Sequence, residues 1–104
     1  RKVWLEHAAR MTGALTVDAG AERALRERGA SLLPAGIISV RGDFASGDPV
    51  AIEDARGVPF AHGIVAYGAS EMPAMLGEGY DRAIVHRDDL VLMRPSVTVS
   101  HDLS

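Results

Sequence analysis

Eleven glycines and five prolines cut this 104-residue chain into short runs. Breakers at that density leave little room for long helices, because glycine costs backbone entropy and proline removes a backbone donor. Only Ala19–Arg28 keeps a helical period, with Ala21, Ala24, Leu25 and Arg28 recurring on one face. Asp18 stands where an N-cap belongs, and Gly29 where a left-handed C-terminal residue belongs. Glu22 and Arg26 lie one turn apart with the acid nearer the N-terminus, which favours both their pairing and the helix dipole.

The remaining segments read as strands and turns. Gly13–Val17 predicts a strand with Leu15 and Val17 on one face. A short extended piece follows at Ser31–Leu33, then a turn at Pro34–Gly36 and a strand from Ile37 to Val40. Gly42–Asp48 is a turn-rich connector with one residue of buried type, Phe44. Pro49–Asp54 and Val58–Tyr67 predict a hairpin around Ala55–Gly57, with Gly63 marking a bulge or a close backbone approach. Ser70 is placed to cap a short helix from Glu71 to Leu76, with Pro73 tolerated in its first turn and Gly77 and Gly79 ending it. Ala83–His86 and Leu90–Met93 read as two further strands separated by a turn at Arg87–Asp89. Residues 1–11, which hold the single tryptophan, Trp4, form an amphipathic lead-in, and 94–104 a frayed tail or edge strand. The sum is one longer helix, one short helix and about six short strands, an α+β and mainly β fold. Strands so closely spaced, without repeated β-helix-β units, favour a small mixed or barrel-like sheet with helices at its ends.

Size and composition narrow the function classes. A chain of this length is one domain and buries about two-thirds of its extended surface, enough for one modest core and no cleft between lobes. Hydrophobic residues make up 47%, but sixteen of them are alanine. The absence of cysteine excludes a disulfide scaffold, thiolate zinc sites and a cysteine nucleophile. No apolar run approaches the 18 or so residues of a membrane span. The chain begins Arg1-Lys2-Val3-Trp4, without an initiator methionine or an apolar leader, as if cut from something longer.

Catalytic constellations are weak. His86-Arg87-Asp88 invites comparison with the protein-kinase catalytic loop, but that loop needs an asparagine to hold the second magnesium, and this sequence has no asparagine. Asp88 and Asp89, as neighbours in extended backbone, point apart and rarely share one ion with His86. His62, in the middle of a strand, reads as a hydrogen-bonded packing residue rather than a base. Ser31, Ser39, Ser46 and Ser70 lack a nucleophile-elbow context, and no two carboxylates are spaced to set one pKa against the other. An independent enzyme is therefore excluded as the working reading. Arginine usage is more suggestive: ten arginines stand against one lysine, and Arg23, Arg26 and Arg28 cluster on the long helix, with Arg41 after the next strand. Guanidinium groups suit phosphate recognition. Yet the chain carries 14 acidic and 11 basic groups, net −3, which disfavours a strongly basic nucleic-acid binder.

Five strings, in order, resemble the C-terminal domain of the bacterial glutamate 5-kinase family. They are Gly13–Leu25, Ser31–Ile37, Gly42–Asp48, Ala61–Tyr67 and Val85–Leu92. Arg1–Leu5 resembles that family's junction between kinase and C-terminal domain. The resemblance covers about residues 1–93 and implies a junction at 1–11, a PUA domain at 12–93 and a tail at 94–104 outside the likeness. It implies a PUA-like pseudo-barrel of mixed strands with two helices. It also implies a cytoplasmic parent enzyme that uses ATP and magnesium to phosphorylate the side-chain carboxylate of glutamate in proline biosynthesis, under feedback by proline. The parent would be a homo-oligomer. Catalysis would reside in an upstream amino-acid-kinase domain, so no catalytic residue, metal ligand or cofactor is expected in this chain. The segment from Gly68 to Ile84 is shorter than the family pattern. PUA domains of RNA-modifying relatives bind RNA through the first helix, the glycine-containing loop after it and the last strand. Here these correspond to the helix at 19–28, to Leu33, Pro34, Ala35 and Gly36, and to the strand at 88–93. With Arg23, Arg26, Arg28 and Arg87 they make the candidate RNA or partner surface. Glu22, Glu27, Asp88 and Asp89 interleave with those arginines. A face so balanced releases few counterions, so a regulatory and interaction module leads and an RNA-binding module is the alternative.

Overall fold

A computed structural model describes residues 11–77 and 82–93. Its elements are β1 (Gly13–Val17), α1 (Ala19–Arg28), a 3₁₀ turn at Pro34–Gly36, β2 (Ile37–Gly42), β3 (Pro49–Glu53), β4 (Pro59–Val65), a 3₁₀ turn at Ala69–Glu71, α2 (Met72–Gly77) and β5 (Val85–Leu92). The lead-in with Trp4, the tail from Arg94 and Gly79 lie outside the described residues.

The five strands form one mixed sheet in the order β2-β1-β3-β4-β5. β1 runs parallel to β3, and the other neighbours are antiparallel. The chain between α1 and β2 ties the two edges together. Leu32 N–H donates to the Val85 carbonyl at 2.9 Å, and Ile84 N–H to the Leu32 carbonyl at 2.7 Å. Five residues later the same segment becomes β2, paired with β1. The sheet thus curls into an incompletely closed barrel, the mainly β, α+β architecture expected.

Strand alternation gives the sheet two unlike faces. One register row runs Val40, Leu15, Ile52, Ala61, and its Leu15, Ile52 and Ala61 are fully buried. Leu25 of α1 joins this core, along with Leu32, Phe44, Met72 and Ile84. Burying Leu25 is worth about 1.5–3 kcal/mol and fixes α1 on this face. The cap is as expected: Asp18 Oδ1 accepts from Ala21 N–H at 2.8 Å, and Gly29 takes φ 61°. Such a cap contributes about 1 kcal/mol.

Three expectations change. First, Arg87–Asp89 do not form a turn. Val85–Leu92 is one strand, but its pairing with β4 shifts between Val65↔Val85 and Gly63↔Leu90. The two apolar runs are the two paired ends of that bulged strand, which brings the strand count to five among the described residues. Gly63 makes this possible, because a Cβ there would lie 2.6 Å from Val85 Cγ1 and 2.8 Å from the Asp89 carbonyl oxygen. Second, Ser70 caps nothing. It sits exposed inside the 3₁₀ turn, and Glu71 Oε1 instead accepts from Gly68 N–H at 2.9 Å, a carboxylate reaching back three residues. Third, the second hairpin arm stops at Val65 rather than Tyr67.

Candidate functional site

The three elements of the candidate surface are contiguous. The Pro34–Gly36 turn packs on the first turn of α1: Asp18 N–H donates to the Gly36 carbonyl at 2.9 Å. A Cβ at Gly36 would come within 2.5 Å of the Ala21 Cβ, so glycine is what lets the loop approach the helix. On its other side the segment meets β5, where Arg87 N–H donates to Ser31 Oγ at 2.8 Å. Leu33 and Ala35 are exposed, Gly36 is half-buried and Pro34 is buried, so Pro34 supports the loop without presenting a surface.

The arginines divide. Arg26 donates from Nε to Glu22 Oε2 at 2.7 Å, and its Cζ lies 4.5 Å from the centre of the Phe60 ring. Phe60 is the extra residue where the β3–β4 register shifts, and it is buried. Arg26 is thus occupied in holding α1 to the sheet. Arg23, Arg28 and Arg87 are exposed and form no ion pair among the described residues. Glu27 and Asp89 are exposed on the same elements, so the surface stays mixed in charge. His86 Nδ1 lies 3.5 Å from Asp88 Oδ2, and no three His, Asp or Glu side chains converge as metal ligands among the described residues.

A second region carries no motif that sequence reasoning singles out. The outer row of the sheet runs Arg41, Ala14, Ala51, His62, Val91, with Thr16 and Glu53 paired in a further row. Alanines at its centre leave a pocket of about 480 Å³, lined among others by Gly13, Ala14, Arg41, Ala51, Glu53 and His62. Glu53 is buried, accepting from Arg41 Nη2 and, at 3.4 Å, from Thr16 Oγ1. One signal did lie in the sequence: Glu53 is the only charged residue in its apolar strand. The next residue, Asp54, is also buried but closes its own turn, accepting on Oδ1 from Arg56 N–H at 2.9 Å and Val58 N–H at 3.0 Å. The Val58 N–H foremost, with the Arg56 N–H and guanidinium, holds the Asp54 carboxyl below its ordinary 3.8 against the opposing effect of burial.

This arrangement of strands and helices has relatives. Residues 13–87 match the pattern of the PUA domain family. The chain belongs to that family. The glutamate 5-kinase of Streptomyces avermitilis is 48% identical over 106 residues, taking in 91% of this chain and 28% of the relative. That of Frankia casuarinae is 50% identical, over 92% of this chain and 29% of the relative. The chain thus spans under a third of the length of the curated relatives it matches. A solved PUA domain from Aeropyrum pernix K1, a tartrate complex, superposes with TM-score 0.67 at 31% identity, over 73% of this chain and 41% of that one. The archaeal box H/ACA sRNP Nop10-Cbf5 complex holds a chain of the same fold, TM-score 0.68 at 22% identity, over 85% of this chain and 26% of that one. No helix among the described residues is long and apolar enough to cross a membrane.

Proposed function

We propose that this PUA domain serves a glutamate 5-kinase as its C-terminal regulatory and interaction module. The parent enzyme transfers the γ-phosphate of ATP, with magnesium, to the side-chain carboxylate of glutamate in proline biosynthesis, as a cytoplasmic homo-oligomer. Its chemistry belongs to an upstream amino-acid-kinase domain, and the PUA domain contributes no reacting group. What supports this reading is identity of 48–50% to enzymes of that one name across nearly the whole chain. Deleting residues 12–93 from the intact enzyme tests it. The expected result is a change in rate, magnesium dependence, proline inhibition or oligomer size. An enzyme unaltered in all four would refute the assignment.

RNA binding is the second reading. It is favoured by the contiguity of α1, the 33–36 loop and β5, and by Arg23, Arg28 and Arg87, which form no ion pair among the described residues. Phosphate contacts through these would weaken steeply with salt. Fluorescence anisotropy of a labelled single-stranded RNA at low salt should show Arg23→Ala and Arg28→Ala binding more weakly than the unaltered domain. No anisotropy change at micromolar RNA excludes this reading.

A further inference from the structure

We propose that the hollow on the outer face of the sheet binds a small zwitterion, an α-amino acid with an apolar side chain. Its volume of about 480 Å³ falls within the roughly 300–1,000 Å³ usual for ligand sites. The short side chains of Ala14 and Ala51, from the central strands β1 and β3, leave the floor open. Two opposite charges meet in its wall. The Glu53 side chain is 10% exposed, while that of its partner Arg41 is 62% exposed. A carboxylate so far removed from water is costly unless its lone pairs are used.

Neither charged group is saturated. A carboxylate offers about four lone-pair sites and a guanidinium five N–H donors. Among the described residues Glu53 uses one oxygen on Arg41 and the other in the long bond from Thr16, and the Arg41 side chain spends only Nη2. A ligand carboxylate takes the remaining Arg41 donors, and a ligand ammonium takes the remaining Glu53 lone pairs. Because the pair is net neutral, a simple anion meets the charge of Glu53 and a simple cation meets that of Arg41. A ligand carrying both charges a few bonds apart gains at both. The apolar side chain then lies against Met11, Pro59 and Met93 of the same pocket. His62, held by an interaction of its own, completes the wall. The site lies on the opposite face of the sheet from α1 and is the same whichever function above holds.

Titrating the ¹⁵N-labelled 104-residue chain with L-leucine tests the proposal. The expected result is saturable shifts at the amides of Ala14, Arg41 and Ala51. Hexanoate, which lacks the ammonium, and pentylamine, which lacks the carboxylate, should each bind at least about tenfold more weakly. Glu53→Gln should weaken leucine by a similar factor. Ala51→Leu, which fills the hollow without touching the charged pair, should abolish the shifts while thermal unfolding stays cooperative. Absence of saturable shifts up to about 10 mM leucine overturns the site. Hexanoate or pentylamine binding as tightly as leucine overturns the zwitterion. Both of these titrations use the unaltered chain, so a variant that fails to fold leaves them intact.

Discussion

The two faces of one sheet show opposite uses of side-chain volume. On the core face, successive register positions carry Leu15, Ile52 and Ala61, close-packed under Leu25 of α1. On the outer face the same strands, one residue out of step, carry Ala14 and Ala51, with Arg41, Glu53 and His62 around them. The first face is full and apolar. The second is hollow and holds a charged pair at its wall. Adjacent residues in one strand therefore stand in unlike environments, and substitutions there should separate stability from binding.

The largest expected effect comes from Ile52→Ala, which empties a fully buried site and should cost about 2–5 kcal/mol. Its neighbour Ala51→Leu points into the hollow and should cost under about 1 kcal/mol, since there is room for the added atoms. Urea denaturation of both variants measures the contrast, and equal losses would mean that the two faces are packed alike.

Gly63→Ala extends the test to a missing Cβ. Its methyl group would face Val85 and the Asp89 carbonyl. Backbone cannot yield as a flexible side chain does, so a loss of about 1–3 kcal/mol is expected in the same denaturation experiment. A neutral result would show that β5 moves away at little cost.

Arg26→Ala should remove about 1 kcal/mol, the joint contribution of an exposed helical ion pair and a stack on Phe60. It should leave any RNA affinity unchanged while Arg23→Ala lowers it. Matching losses of affinity would place Arg26 on the binding surface after all.

The smallest effect concerns the buried carboxylate of Asp54. Asp54 has a lowered folded-state pKa, so its contribution to stability is present above the ordinary value of 3.8 and is lost as pH falls below it towards the folded value. Measured from about pH 6 down to about pH 2, stability should decline less steeply in Asp54→Asn than in the parent chain. An identical slope would mean that the turn hydrogen bonds do not discriminate between the charged and neutral side chain.

Local signals in the sequence locate much of the fold. α1, its Asp18 cap, its Gly29 terminus and the Asp54–Val58 turn are each specified by residues within a few positions of one another. Local chemistry of that kind is legible because one turn of backbone contains all its partners. The apolar alternation of β1 likewise identifies Leu15 and Val17 as core. Arg87–Asp89 reads as a turn and is not one, because polar residues on an exposed edge strand carry no strand signal of their own. Their extended conformation is set by Ser31 on one side and by pairing to β4 at both ends. The candidate loop surface is legible through its resemblance to a family, but the contact of Arg26 with Phe60 is not, since Phe60 is thirty-four positions away in sequence.

The amino-acid sequence by itself determined α1 with its caps, the Asp54–Val58 turn, the core positions of β1 and the membership of the PUA family, because period, caps and local strings act over short distances. Only the tertiary structure decided that β1 lies beside β3, that Leu32 joins the two edges of the sheet, and that Arg41, Glu53 and His62 surround one hollow. Strand register has no local code. It is fixed when apolar side chains from distant segments are buried together, and the residues left facing outward acquire their neighbours from that event.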